Sequence, residues 1–359
     1  MALTGNKGEW SEIYTLFKLL GDGLVYAGDE DLNKIEDLFY PIVQIVRQES
    51  RLYSYEPNKE CDVVVINEDD EELMRLPMTR FVEAAEKLLH TIQLDQATTF
   101  ADAEAESFMH EIKCVGLKAK STDKSDIRIR IHDLRTGMRP MLGFSIKSQL
   151  GQPSTLLNAG RPTNFVYRCT ECNISDVEIE EINAISSQIG RMNSLASKGC
   201  LLEYCDMDNS AFKNNLTLVD SQMPALMGAC VREYYTSSAV SVRDVVERVV
   251  AINPLSCNEE ISALFYSRNM KKLLIDVALG MVPATLWTGR YDATGGYLVV
   301  RRDGEIVCYH FYNRNEIENY LYNNTRFDRP SRSRYDYGKL YRGDDGGVYM
   351  KLNLQIRFK

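Results

Sequence analysis

Histidine is scarce in this chain, and the four present (His90, His110, His132 and His310) form no ligand-spaced group. A histidine-rich metal site is therefore not expected. No apolar run approaches the roughly 18 residues that a membrane-crossing helix needs, so no span is expected. The opening MALTGNKGEW carries neither the basic nor the apolar part of a secretory leader, and a cytoplasmic location is the expectation. Internal repeats and low-complexity linkers are missing, which leaves domain boundaries soft. An excess of positive charge is missing too. The formal net charge is −9, at first sight wrong for a protein that meets nucleic acid.

What is present modifies that last impression. From 286 to 359 there are 13 Lys and Arg against 9 Asp and Glu, and half of the 20 tyrosines fall there. The basic, tyrosine-rich end sits on an acidic body, an asymmetry that suits DNA contact. With 44% hydrophobic and 26% charged residues, the 359-residue chain has the profile of a soluble globular protein with a substantial core. Nine cysteines, an odd count without a leader, argue for reduced thiols. Cys169 and Cys172 form C-x-x-C and are followed by Cys200 and Cys205. The alternatives are a structural zinc and ordinary half-buried thiols.

Hydrophobic spacing predicts a helix over NKGEWSEIYTLFKLLGDG and a second over 29–48, where Leu32, Ile35, Leu38, Phe39 and Ile42 recur at helical intervals around Pro41. CDVVVIN reads as a strand, and 78–113 as helical. DIRIRIHD and RPMLGFSIKS form an antiparallel pair across LRTGM, and TNFVYRC is a further strand. Helices dominate 174–283. Strands return in GGYLVVRRDGEIVCYHFY, with a D-G turn at 303–304, and in YMKLNLQIRF, with a short helix at EIENYLYNN between them. The class is α/β (α+β), a mixed sheet flanked by helices. Residues 1–170 hold the core, 171–285 a helical region, and 286–359 a basic, tyrosine-rich β region serving DNA recognition.

One strand raises a chemical question. In GFSIKSQLG, Ser145 and Lys147 share a face while Phe144 and Ile146 take the other. An ammonium inside a sheet is costly unless an anion receives it. Asp126 opens the preceding strand, and a hairpin brings it near the end of the next. An aspartate followed by a strand ending in x-I-K resembles the PD-(D/E)xK nuclease core. There a divalent cation, usually Mg²⁺, sits on carboxylates beside the scissile phosphate, and the lysine serves the attacking water. The match departs from the pattern at Ser145, where an acid is expected, and at Ser125, where proline is expected. Residues 158–161 (Asn-Ala-Gly-Arg) offer no substitute acid. KGEWSE does: Glu12 lies five residues after Lys7, resembling the K-G-x-x-x-E helix of resolvase-like nucleases, with Glu9 able to face the same cleft. Each residue also has a plain reading. Lys147 can snorkel to water, Glu9 and Glu12 can be first-turn acids, and Asp126 can cap a turn.

Longer strings carry a more specific likeness. LTGNKGEWSEIYTLFKLL, GFSIKSQLGQPSTLLNAGRPTNFVY, YDATGGYLVVRRDGEIVCYHFYNR, NNTRFDRPSRSRYDYG and LNLQIRF resemble, in order, the HpaII-type restriction endonucleases over nearly the whole chain. That resemblance implies a type II enzyme cutting duplex DNA at 5′-CCGG after the first cytosine. It would use Mg²⁺ and be opposed by a cognate cytosine methyltransferase. It also implies Glu12, Asp126, Ser145 and Lys147 as the catalytic set, with Glu12 and Asp126 holding the metal. Gln149, Asn158, Thr163 and Asn164 follow the catalytic strand as candidate DNA contacts, the alternative being a loop that satisfies itself. Arg326, Arg329, Arg332 and Arg334 suit guanine, which a guanidinium reads on O6 and N7; the alternative is a phosphate clamp. Arg332 and Arg334 are favoured as base readers. A palindromic target is normally met by a homodimer. The competing functions are a structure-selective, junction-resolvase-like nuclease and a non-catalytic DNA-binding module.

Overall fold

The computed structural model describes residues 2–118, 125–291 and 295–359. Its first helix, α1 (Lys7–Asp22), starts where Asn6 and Glu9 cap each other reciprocally and stops at Gly23, whose φ of 63° suits glycine. Five strands follow: β1 (Leu24–Gly28), β2 (Lys34–Gln48), β3 (Leu52–Asn58), β4 (Val63–Glu68) and β5 (Glu71–Pro77). The helix expected over 29–48 is thus mostly strand β2. Tyr40, Ile42, Ile45 and Arg47 are its buried positions, and its β-branched and aromatic residues favour a pleated strand. Pro41 opposes a helix interior and falls where β2 changes partner, from β1 on one side of it to the next sheet neighbours on the other.

Next come α2 (Met78–Leu94), α3 (Ala103–Glu111), β6 (Ile127–Ile131) and β7 (Met141–Ser148). Beyond them lie β8 (Thr155–Leu157), β9 (Asn164–Thr170), α4 (Asp176–Ala184), α5 (Gln188–Ser197) and β10 (Leu201–Met207). The helical middle continues with α6 (Ser210–Val219), α7 (Met223–Thr236), α8 (Val242–Ile252) and α9 (Glu259–Ala278). The last part holds β11 (Gly296–Val300), β12 (Ile306–His310), α10 (Arg314–Asn324) and β13 (Thr325–Phe327). It ends with α11 (Arg332–Tyr335), β14 (Leu340–Arg342), β15 (Val348–Asn353) and β16 (Ile356–Phe358).

Two units result: residues 1–154 with 292–320, and 155–291 with 321–359. The boundaries therefore differ from those read off the sequence, because the β11–β12 hairpin belongs to the first unit's sheet. That sheet runs β1-β12-β11-β7-β6-β2-β3-β4-β5, and β1 also pairs with β2. It is largely antiparallel, but β11 lies parallel to β7 and β12 parallel to β1. The expected hairpin from Ile127 to Ser148 is present, with Ile127 opposite Phe144. Trp10, Ile13 and Phe17 of α1 meet Phe81 and Leu88 of α2 and the sheet's Ile45, Ile129, Phe144 and Leu298 in one buried cluster.

The second unit has a four-stranded sheet, β10-β9-β15-β14, and a three-stranded one, β13-β16-β8. The single closing strand expected from YMKLNLQIRF is two, placed in different sheets. In the antiparallel pair of β9 and β10, which α4 and α5 separate in the chain, Leu201 faces Thr170, and this brings Cys172 and Cys200 within 5.0 Å between Cα atoms as a disulfide. This corrects the expectation of reduced thiols for that pair. Cys169 is buried and Cys205 exposed. Among the described residues no group of three or more His, Cys, Asp and Glu is arranged to hold a metal, so the four-cysteine zinc reading is set aside. No helix among them is long and apolar enough to cross a membrane.

Candidate active site

Strand alternation places the lysine. Phe144 and Ile146 pack on the first unit's core, so Ser145 and Lys147 take the opposite face of β7. Parallel pairing sets Tyr297 of β11 opposite Ser145, and the Lys147 ammonium lies 5.2 Å from the Tyr297 ring centre. Asp126 is fastened to the same strand twice. Its N–H donates to the Phe144 carbonyl at 2.9 Å, and its Oδ2 accepts the Ile146 N–H at 2.7 Å. From the other side α1 is tied to β7 by a 2.8 Å hydrogen bond between the Ser11 and Ser148 hydroxyls, which delivers the neighbouring Glu12.

The electrostatics couple these groups. Burial, and after it the negative charge of Asp126, push the Glu12 carboxyl up to about 8, against the pull of Lys118 and Arg47. Burial pushes the Lys147 ammonium below its ordinary value, while Asp126 and Glu12 hold it up. Two acids and one ammonium thus share a poorly solvated place, where an acid keeps its proton unless a cation replaces it. That is an oxygen donor pair of the kind a hard divalent cation takes together with waters and substrate phosphate.

The structure therefore brings Glu12, Asp126 and Lys147 together, with Ser145 two residues before the lysine on its face. Glu9 takes the plain reading. It completes the helix cap and pairs with Lys118 at 3.1 Å, and its carboxyl is held below the usual range, first by the Asn6 backbone N–H. Gln149 is half-buried, and its N–H donates to the Val300 carbonyl.

The remaining candidates lie in the second unit. Asn158 is exposed. Thr163 and Asn164 are buried at 0% and 1% exposure and engaged in internal hydrogen bonds, so the self-satisfying reading holds for them. Arg326 is half-buried in β13 opposite Arg357. The Arg329 guanidinium lies 5.2 and 5.5 Å from the rings of Tyr234 and Tyr235. Arg332 turns inward, Nη2 donating to the Ser186 carbonyl, whereas Arg334 is exposed above the ring of Tyr335.

The family model described as HpaII restriction endonuclease matches residues 6–358. The chain belongs to the HpaII restriction endonuclease family. Within that family, the type II restriction enzyme HpaII of Haemophilus parainfluenzae is 43% identical over 359 residues, covering 99% of this chain and 98% of that enzyme. No solved structure matches the chain. This HpaII-family member is accordingly an enzyme of the type II restriction class, as the sequence suggested.

Sequence reasoning about this family member missed Tyr297 and Arg47. Tyr297 comes from a parallel strand far along the chain, so no local pattern announces it. Arg47 is buried on β2, paired with Glu49 at 2.7 Å, and was hidden by the helical reading of that segment. Tyr297→Phe keeps the ring beneath Lys147 and is expected to retain cleavage within about threefold, whereas Tyr297→Leu removes the cation–π contact. The leucine variant should lower the single-turnover cleavage rate about tenfold. Equal rates for the two variants would remove Tyr297 from the site.

Proposed function

We propose that this chain is a Mg²⁺-dependent endonuclease with a PD-(D/E)xK-like core that hydrolyses duplex DNA at 5′-CCGG, after the first cytosine. The observation carrying this reading is the convergence of Glu12, Asp126 and Lys147, from a helix, a strand start and a strand end, on one desolvated spot. Glu12 and Asp126 would hold the cation, which supplies neutralisation of phosphate oxygens and polarisation of water. The chain's own residues do the rest. Asp126 stays aimed because the Ile146 N–H fixes one of its oxygens. Lys147 orients the attacking water and, as an ammonium, answers the negative charge growing on the phosphate. Ser145 replaces the strand carboxylate of the usual pattern, and Glu12 supplies the missing acid from α1.

Asn158, Arg334, and with them Gln149, Arg326 and Arg329, are the side chains proposed to touch DNA. The working enzyme is proposed to be a homodimer matched to a palindromic target, in a cytoplasm where a cognate cytosine methyltransferase protects host sites. Incubating unmethylated plasmid with the full-length protein and Mg²⁺, then sequencing the fragment ends, tests this directly. Discrete fragments whose 5′ ends begin CGG, absent in chelator, are the expected result. A smear or cutting confined to branched DNA would favour a structure-selective nuclease, and no cutting at all a binding module.

A further inference from the structure

In the second unit a buried pair of asparagines joins two exposed stretches that are remote in sequence. The Asn164 N–H donates to the Arg161 carbonyl, and its Nδ2 donates at 2.9 Å to the carbonyl of Tyr335, 171 residues away. Its Oδ1 accepts from Asn353 Nδ2 at 2.7 Å. Asn353 Nδ2 also donates to the Gly160 carbonyl at 2.6 Å, and the Thr163 hydroxyl accepts the Gly160 N–H at 3.1 Å. Asn164 and Asn353 are each 1% exposed. A satisfied polar network in such a setting fixes one arrangement, because every alternative leaves a buried donor or acceptor unmet. The loop at 160–164 and helix α11 are thereby locked to one another.

The lock presents two guanidinium groups. Arg161 directly follows Gly160, Arg334 directly precedes Tyr335, and both are exposed. Six other arginines of this unit (Arg168, Arg232, Arg243, Arg248, Arg342 and Arg357) are held in ion pairs. Arg161 and Arg334 have no acidic partner among the described residues. Reading guanine through O6 and N7 needs a guanidinium held in a fixed orientation, whereas a phosphate contact tolerates a loose one. The frame fixes the backbone that carries both arginines, and the Tyr335 ring steadies the guanidinium of Arg334.

We propose that Arg161, presented on the same frame as Arg334, reads guanine in the target, and that Asn353 is the positioning residue that holds it there. This rests on the target assignment made above. The test measures binding of full-length protein, without divalent cation, to a duplex carrying CCGG and to one of equal length and composition lacking it. Arg161→Ala should weaken binding to the CCGG duplex about tenfold to a hundredfold and to the other duplex less than about threefold. Equal loss on both duplexes marks a backbone contact and overturns the proposal, as does no loss on either. Wild-type protein that prefers neither duplex sinks the target assignment as well.

Asn353→Asp keeps the side chain's shape but replaces its two donor hydrogens by an acceptor. It should lower the preference for CCGG, and the double variant with Arg161→Ala should be no less selective than Arg161→Ala alone. Losses that simply add would show that Asn353 acts elsewhere, and thermal unfolding of each variant separates this from loss of the fold.

Discussion

Replacing Lys147 by alanine is expected to cut the cleavage rate by about a hundredfold to ten-thousandfold while DNA binding survives. The reasoning is electrostatic. Lys147 is the ammonium that Asp126 and Glu12 act upon at this spot, and burial makes its charge and its proton unusually sensitive to what lies beside it. During hydrolysis negative charge grows on the phosphate, and a cation in a low-dielectric place answers it more strongly than one in water. Lys147→Met, which retains most of the side chain's length and its packing on Tyr297, should lose activity equally. Single-turnover cleavage with saturating enzyme reads the effect, and binding to uncut duplex is the control. A methionine variant that still cuts at the wild-type rate would reduce the lysine to a snorkelling side chain.

Glu12→Gln should have two effects of opposite sign. Cleavage should fall at least a hundredfold, because one of two carboxylates that would hold the cation is gone. Stability of the metal-free protein at pH 8 to 9 should rise by at least about 2 kcal/mol. In the unfolded chain Glu12 titrates near 4.5, whereas burial and the charge of Asp126 raise it to about 8 in the folded protein. Between those values the native state holds a proton that the unfolded state has released. Stability therefore falls as pH rises through this window, and the loss is complete above the folded value. Glutamine, uncharged at any pH, removes that slope. Urea unfolding at pH 4 and pH 8.5, in chelator, checks it: the two proteins should agree at the lower pH and part at the higher. A mutation that stabilises the fold while destroying activity is expected where a site keeps repelling acids together for a ligand.

Much of this was legible from short-range pattern, and what was not has a physical reason. Helix α1 was legible in the apolar spacing of NKGEWSEIYTLFKLLGDG, and strict alternation in IRIRI with the LRTGM turn foretold the hairpin that carries Asp126 and Lys147. The acid missing at Ser145 could be sought on the helix because K-G-x-x-x-E is itself a local string. Residues 34–48 misled because apolar side chains at helical intervals also satisfy a bent strand that changes partners, and only pairing decides between them. The parallel pairing that brings Tyr297 to Lys147 is a long-range event with no trace in either segment. In the loop at 158–164, DNA contact and a self-satisfying loop were both open readings. Asn158 does face out, but Thr163 and Asn164 are the bonded interior of their loop, a distinction set by Asn353 and Tyr335 from elsewhere in the chain.

The parallel seating of β11 against β7 has a consequence for how the molecule is made. A polypeptide leaving the ribosome delivers Glu12, Asp126 and Lys147 early, yet the strand that covers the flank of β7 and carries Tyr297 emerges only after residue 296. Until then β7 has a bare edge, open to pairing with other chains, and its lysine lacks an aromatic floor. Translation thus completes the sheet beside the proposed site only when most of the message has been read, and prematurely terminated products carry the proposed acids and ammonium without that strand.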